Sequence, residues 1–239
     1  MKLDYIYHSG FAIEAEGVTL IIDYYKDSSE TERNRGVVHD YLLQKPGKLY
    51  VLSTHFHPDH FNREILTWKE QRPDIIYIFS KDILKHRRAK QEDAIYINKG
   101  ESYEDDALRI DAFGSTDVGI SFLIHLQGMH IFHAGDLNNW HWNEEVPCEE
   151  AVGYEKAFLQ ELSLLAAAYP HFDAAMFPVD PRLGKDYMRG AQQFVDAIEV
   201  DHFIPMHFGE HYDKANAFAP YAHHHFFPLH QRGQAMTLF

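Results

Sequence analysis

The chain has 239 residues, 45% of them hydrophobic, which is enough apolar sequence to bury a sizeable core. Its formal net charge of -14 disfavours general nucleic-acid binding, because an acidic surface repels the phosphate backbone. The single cysteine, Cys148, has no partner for an internal disulfide, and no apolar run resembles a signal peptide or a membrane span, so we expect a cytoplasmic protein.

Strands and helices are predicted along the whole length of the chain. The predicted strands are residues 3–7, 11–14, 18–23, 49–53, 75–79, 94–97, 108–113, 120–125, 129–132, 174–177 and 202–206. The predicted helices are residues 63–71, 80–88 with Ser80 as N-cap, 153–169 and 191–198. No linker-like stretch interrupts them. The pattern predicts a single domain over residues 1–239 that folds as a layered α/β sandwich.

Histidine is abundant, and its densest group directly follows the apolar strand 49–53. His55, His57, Asp59 and His60 bring four potential metal ligands into one short loop. Imidazole and carboxylate suit zinc, and also iron or manganese. The loop therefore predicts a metal site, in which His55 and His57 share one ion while Asp59 and His60 turn toward a second. A solvated histidine-rich loop is the alternative interpretation.

The His-x-His-x-Asp-His pattern after a strand resembles the signature of the metallo-β-lactamase superfamily. Asp136 and His207 each follow a predicted strand, as the family's metal-bridging aspartate and last histidine ligand do. His8 and Asp23 resemble the histidine and the aspartate that lie near the active site on the family's opening strands. The resemblance spans residues 3–210 and implies a four-layer αββα sandwich with the metals at one edge of the sheets.

One part of the pattern departs from the family, which usually places a third histidine ligand before the bridging aspartate. Here residues 113–119 contain no histidine. Gly119 matches the family's glycine, which puts Thr116 or Asp117 near the missing ligand. Asp117 is the better metal ligand chemically, and a turn aspartate beside Gly119 is the alternative.

Residues that flank the proposed ligands are predicted to support them. Asp23 is expected to hydrogen-bond a ligand histidine and set its tautomer. Trp140 and Trp142 follow Asp136 closely and are predicted to form a pocket wall, with His141 contacting substrate. Ordinary packing is the alternative for all three.

Three further polar residues keep two interpretations each. Asp180 and Arg182 follow the strand 174–177, where they lie either at the active site or in a surface turn. His133 is either a site residue or a core histidine.

The resemblance implies a hydrolase in which a metal-activated hydroxide attacks a carbonyl carbon or a phosphorus atom. Asp136 would bridge two metals, and Asp59 or His141 would pass protons to the leaving group. One or two zinc ions are the expected cofactor, with manganese or iron as alternatives. The sequence most resembles the lactonase and ribonuclease-Z-like branch, and its charge favours a small ester, lactone or phosphodiester over long RNA. The competing functions are an iron-dependent redox enzyme on the same scaffold and a metal-binding protein with lost catalysis.

Overall fold

The computed structural model describes residues 1–32 and 34–238. Its strands are β1 (Lys2–Tyr7), β2 (Gly10–Ala15), β3 (Val18–Ile22), β4 (Lys48–Ser53), β5 (Ile76–Ser80), β6 (Ile95–Ile97), β7 (Ser102–Glu104), β8 (Leu108–Gly114), β9 (Ile120–Leu126), β10 (Met129–His133), β11 (His171–Pro178), β12 (Glu199–Met206), β13 (His225–Phe226) and β14 (Ala235–Thr237). The α-helices are α1 (Val37–Asp40), α2 (Lys81–Lys85), α3 (Cys148–Ala168), α4 (Arg189–Ala197) and α5 (Tyr212–Asn216). Short 3-10 helices cover Leu42–Gln44, Arg63–Glu70, Pro181–Asp186 and Ala219–Tyr221.

The strands form two mixed seven-stranded sheets, in the orders β14-β1-β2-β3-β4-β5-β6 and β13-β12-β11-β10-β9-β8-β7. In the first sheet, β3, β4, β5 and β6 are parallel to one another. In the second sheet, β10, β11, β12 and β13 are parallel. Parallel strands need crossover connections, which is why the helices lie between them in the chain.

The alternation of apolar side chains along the strands places each face of the first sheet in a different core. Leu20 and Ile22 of β3 belong to the core shared with the second sheet, whereas Ile21 between them faces a separate cluster. That cluster also contains Trp68 from the 3-10 helix and Ile83 from α2. Beyond the second sheet, α3 and α4 pack on its other face. The predicted αββα sandwich is therefore confirmed, with helices outside two packed sheets.

Two local predictions need correction. Residues 63–71 were expected to form a helix and instead form 3-10 turns over Arg63–Glu70. The Thr67 hydroxyl donates to the Glu64 carbonyl, a local bond that competes with α-helical pairing. Ser80 does stand at the start of α2, but its hydroxyl makes no capping hydrogen bond. No helix in residues 1–32 and 34–238 is long and apolar enough to cross a lipid bilayer.

Candidate metal centre

The strand ends bring the predicted ligands to one edge of both sheets. The loop that carries His55, His57, Asp59 and His60 begins where β4 ends, and Asp23 follows the neighbouring parallel strand β3. In the second sheet, Asp136 follows β10 and His207 follows β12. Because carboxyl ends of parallel strands meet at the same edge, residues far apart in the chain converge there.

Two glycines allow the second sheet to approach the histidine loop closely. A Cβ atom on Gly119 would lie 2.1 Å from the Thr54 carbonyl oxygen and 2.5 Å from Cβ of His55. One on Gly135 would lie 2.9 Å from Cβ of Thr54. Both glycines also have positive φ angles, of 76° and 54°. The loop and Asp136 can therefore lie side by side only because these positions lack side chains.

The donor atoms fall into two groups around Asp136. One group contains His55, His57, Asp117 and Asp136, and the other contains His8, Asp59, His60 and His207; within each, one ligand atom per residue lies within 4.8 Å of the others. Asp136 reaches both, because its Oδ2 lies 3.4 Å from Nε2 of His55 while its Oδ1 lies 3.1 Å from Nε2 of His60. The geometry is that of a carboxylate placed between two candidate cation sites.

Three atoms at the contact of the two groups have no hydrogen-bond partner among the described residues, although they are buried. They are Nε2 of His60, Nε2 of His207 and Oδ1 of Asp136. Buried polar atoms are almost always satisfied, so three that converge on one point indicate a missing partner. A transition-metal ion would satisfy all three, since imidazole nitrogen and carboxylate oxygen are its common ligands. The donor set therefore fits the metal that the sequence predicts.

Asp23 orients His60 from behind. It is fully buried at the end of β3, and its Oδ2 lies 2.7 Å from Nδ1 of His60. The same carboxylate accepts hydrogen bonds from the backbone N–H and the hydroxyl of Thr54, each at 2.7 Å. Burial raises the pKa of Asp23, but the neighbouring histidines, His60 above all, outweigh burial and lower the pKa overall. An ionised Asp23 holds the proton on Nδ1 of His60 and leaves Nε2 free to bind a cation.

Asp180 does the same for His207. Its Oδ2 lies 3.0 Å from Nδ1 of His207, and its side chain is only 1% exposed. Burial raises the pKa of Asp180, yet hydrogen bonds from His207 and Arg182 bring it down to about 2. Of the two interpretations that the sequence allowed, the structure places Asp180 and Arg182 at the site. Asp180 caps the 3-10 helix that begins at Pro181, and its side chain and that of Arg182 both lie against His207.

His8 joins the second donor group itself. Its Nε2 lies 3.3 Å from Oδ2 of Asp59, and its ring centroid is 4.1 Å from that of His207. Burial, together with the nearby His207, lowers the pKa of His8 to about 4. A neutral imidazole with its ring in the cluster is able to ligate a metal or to hydrogen-bond Asp59.

Asp117 lies on the open side of the centre. Its Oδ2 is 3.2 Å from Nδ1 of His57, and its side chain is 41% exposed. The structure thus brings Asp117 to the region of the missing third histidine. Thr116, the other residue considered there, donates its hydroxyl to the Asn138 carbonyl at 2.6 Å and supports the loop.

Two predicted histidines are engaged elsewhere. Nε2 of His141 lies 3.3 Å from the Asp186 carbonyl oxygen, and its Nδ1 accepts from the N–H of Asn143 at 3.2 Å. Its ring is buried, and it is absent from the described residues that line the cavity above the donor groups. Of the two interpretations of His141, its surroundings therefore match ordinary packing. His133 likewise bonds the Ser9 carbonyl and the Gly135 N–H, as a core histidine does.

A cavity of about 430 Å³ opens over the donor groups. Its floor is formed by His57, Asp59, Asp117, Asp136 and His207, and its walls by Thr116, Trp140, Trp142, Tyr154 and Arg182. The two tryptophans are stacked, with centroids 6.2 Å apart and planes inclined by 14°. The predicted pocket wall is therefore present. Tyr154, on α3, was not predicted, because nothing in its local sequence indicates how α3 packs beside the site.

Comparison with known proteins decides the family. The model of the β-lactamase superfamily domain matches residues 2–148, more than half of the chain. The chain belongs to the β-lactamase superfamily. No curated protein sequence matches this superfamily member.

Solved structures share the metallo-β-lactamase fold with this β-lactamase superfamily protein. A metallo-hydrolase from the archaeon Ignicoccus hospitalis superposes with a TM-score of 0.66 at 20% identity, covering 98% of this chain and 97% of its own. The isothiocyanate hydrolase from Delia radicum gut bacteria gives 0.58 at 14% identity, with 99% of both chains covered. The diiron β-hydroxylase CmlA from Streptomyces venezuelae gives 0.67 at 16% identity, over 98% of this chain and 53% of CmlA. At these identities the likeness concerns the fold alone.

Proposed function

We propose that this protein is a metal-dependent hydrolase that cleaves a small ester, lactone or phosphodiester and carries one or two zinc ions. The observation that carries the proposal is the position of Asp136 between two donor groups, with unpartnered atoms of Asp136, His60 and His207 facing one another. Membership of the β-lactamase superfamily supports the same chemistry.

The two donor groups would each hold one ion. His55, His57 and Asp117 would bind the first, Asp59, His60 and His207 the second, and Asp136 would contact both. Bound metal ions lower the pKa of water toward 7 and polarise the scissile group, as in other metallo-hydrolases.

The side chains around the donor groups would position the ions and handle protons. Asp23 and Asp180 fix the tautomers of His60 and His207, so that both Nε2 atoms face the centre. Asp59 lines the cavity and is one-third exposed, so the carboxylate oxygen that does not serve as a ligand would accept a proton and return it to the leaving group. His141 has no part in this scheme, because both of its ring nitrogens are hydrogen-bonded away from the cavity.

The test is metal analysis of the purified protein combined with a panel of small esters, lactones and phosphodiesters. We expect one or two equivalents of zinc, turnover of at least one substrate class, loss of turnover with chelator and recovery on adding zinc back. Metal-free protein whose turnover is insensitive to chelator would exclude the proposal. Stoichiometric metal without turnover of any panel member would instead favour a metal-binding protein that has lost catalysis.

The size of the cavity and the charge of the chain support a small substrate. About 430 Å³ accommodates a metabolite, and the net charge of -14 opposes the approach of a polynucleotide. Structured RNA and the small-molecule panel should therefore be compared at physiological salt. Faster cleavage of RNA than of every small substrate would overturn this part of the proposal.

A second candidate function is an iron-dependent redox reaction. The observation that favours it is Asp117, a carboxylate beside His57 where the family usually supplies imidazole, because carboxylate ligands favour harder ions than zinc. The fold is also shared with a diiron β-hydroxylase. Anaerobic loading with iron(II), followed by measurement of oxygen consumption with and without added substrates, separates this function from hydrolysis.

A further inference from the structure

Arg182 is held rigidly beside the metal centre. Its Nε and Nη2 donate to Oδ2 of the buried Asp180 at 2.9 and 2.6 Å. Nη2 also lies 3.3 Å from Nδ1 of His207, the ring nitrogen opposite the one that faces the donor group. Because Nδ1 of His207 donates to Asp180, its approach to Nη2 is not a hydrogen bond, and the bonds to Asp180 are what hold the guanidinium in place.

One edge of this guanidinium is available to a ligand. The side chain of Arg182 is 60% exposed, and its Nη1 makes no hydrogen bond within the described part of the chain. An arginine whose fork is already oriented loses little entropy when it binds a carboxylate or a phosphoryl group. Arg182 is therefore prepared to bind an anion.

Arg182 also supplies a charge that the rest of the site lacks. Among the described residues that line the 430 Å³ cavity it is the only lysine or arginine, whereas Asp59, Asp117 and Asp136 are all acidic. A second cavity, of about 510 Å³, shares Asp59, Arg182 and His207 with the first. A ligand in either cavity would reach the guanidinium and the donor group together.

The two tryptophans offer the same cavity a flat apolar surface. Trp140 is fixed by a hydrogen bond from its Nε1 to the Asp136 carbonyl oxygen at 2.8 Å. Trp142 stacks on it and has a φ of 43°, which few bulky residues adopt. Both indoles line the same cavity as Arg182.

We infer that the substrate of the proposed hydrolase is a small planar or aromatic molecule bearing an oxyanion, a carboxylate or a phosphoryl group, which Arg182 binds while the Trp140–Trp142 wall packs against the planar part. The inference rests on the proposed function for the reaction, but the recognition of the anion is tested without turnover. In this role Arg182 determines specificity, and Asp180 positions both Arg182 and His207.

The experiment measures binding of three probes to the zinc-loaded protein by calorimetry: benzoate, phenyl phosphate and the neutral benzamide. In Arg182→Gln, we expect the affinity for at least one anion, relative to benzamide, to fall about tenfold or more, because a charge-assisted hydrogen bond is lost. Arg182→Lys should restore part of the ratio, since it keeps the charge without the fork. The anion whose affinity falls more in Arg182→Gln is the type of oxyanion that Arg182 prefers.

Matched controls separate this inference from its alternatives. Arg109→Gln removes an exposed arginine on β8 that pairs with Asp111 on the same strand and does not line the cavity. It should leave the ratio of anion to benzamide affinity unchanged. Trp142→Ala should weaken all three probes together. Metal content is measured for every variant, so that loss of metal is not mistaken for loss of the anion site.

Two results would overturn the inference: an anion-to-benzamide ratio in Arg182→Gln equal to that of the wild type, or no detectable binding of either anion to zinc-loaded wild type. Failure of the proposed function has a different signature, which is metal-free purified protein or turnover that is independent of metal.

Discussion

Four residues around Asp136 hold a backbone conformation that non-glycine residues seldom adopt. His8, Asp23, Trp142 and His207 have φ angles of 61°, 49°, 43° and 63°. Each such residue costs about 1–3 kcal/mol when it is held in this region. Three of the four directly follow strands, at the edge of the sheets where the side chains of the candidate metal centre meet. The stability of the sandwich therefore offsets strain that is concentrated where the donor atoms converge.

Replacing one carboxylate oxygen of Asp23 tests whether this residue orients His60. In Asp23→Asn, either orientation of the amide leaves its NH2 facing a donor, the Thr54 N–H on one side or the Thr54 hydroxyl and His60 Nδ1–H on the other. His60 is then free to place its proton on Nε2, which blocks metal binding. We expect metal affinity to fall about 10–100-fold, measured by competition with a chromophoric chelator.

The control for this prediction is Asp74→Asn, which changes an exposed aspartate paired with Arg72. It should leave the metal affinity at the wild-type value. Equal affinities in Asp23→Asn and the wild type, with circular dichroism unchanged, would show that Asp23 does not orient a ligand.

At the scale of elements, the contact between the β8–β9 turn and the histidine loop depends on Gly119. Gly119→Ala would force a Cβ to within 2.1 Å of the Thr54 carbonyl oxygen, in addition to the cost of its positive φ. We expect the free energy of unfolding to fall by more than about 1 kcal/mol, measured by urea denaturation.

Gly100→Ala is the matched control, because Gly100 also has a positive φ, of 82°, but no described atom lies within 4 Å of the position that an alanine Cβ would take there. The difference between the two variants isolates the close approach from the backbone cost. If both variants lose the same stability, the packing of Gly119 on the loop contributes nothing.

The segment between β3 and β4 is anchored by a partly buried ion cluster. Nδ1 of His39 lies 2.7 Å from Oδ2 of Asp27, and its Nε2 lies 2.7 Å from Oε1 of Glu64. Burial lowers the pKa of His39, but the two carboxylates outweigh burial and raise it to about 9. Protonated His39 thus connects α1 to the 3-10 helix Arg63–Glu70.

This connection should depend on pH. Because the folded pKa exceeds the unfolded value of about 6.5, the stabilisation is complete below pH 6.5 and is lost as the pH rises through 9. Urea denaturation from pH 6 to 10 should show a stability advantage of the wild type over His39→Gln that shrinks across this window. Parallel curves for the two proteins would contradict the assignment.

The elements were predictable to different degrees, for physical reasons. The strand β4 was evident because its apolar run is buried on both faces, and the loop of four ligands directly follows it. The strands β7, β13 and β14 were missed because segments of two or three residues form only through pairing with neighbours. Tyr154 was missed because its place in the cavity depends on how α3 packs, which its local sequence does not indicate. Arg182 was noticed, but the role proposed for it rests on its bonds to Asp180, which sequence spacing does not reveal.

At the scale of the whole molecule, the two donor groups differ in their exposure to water. In the first group the side chains of His57 and Asp117 are 35% and 41% exposed, and His55 is buried. In the second group Asp59 is 34% exposed, but His60 and His207 are at most 2% exposed. Both buried histidines are also oriented by aspartates, Asp23 and Asp180. Preorganised ligands lose less entropy on binding, so the group with His60 and His207 should bind its ion more tightly.

We therefore predict that the two sites fill unequally. Calorimetric titration of the apoprotein with zinc should show two steps, the tighter one belonging to the group with His60 and His207. Asp117→Ala should weaken mainly the second step, because it removes a ligand from the more exposed group, whereas His207→Ala should weaken the first. Asp117→Asn serves as a conservative comparison, since it keeps the size of the side chain and removes its charge.

Two equivalent sites in the wild type would contradict the argument from exposure. Unchanged affinities in Asp117→Ala would show that Asp117 is a turn residue, and that water completes the ligand set where the family's third histidine is missing.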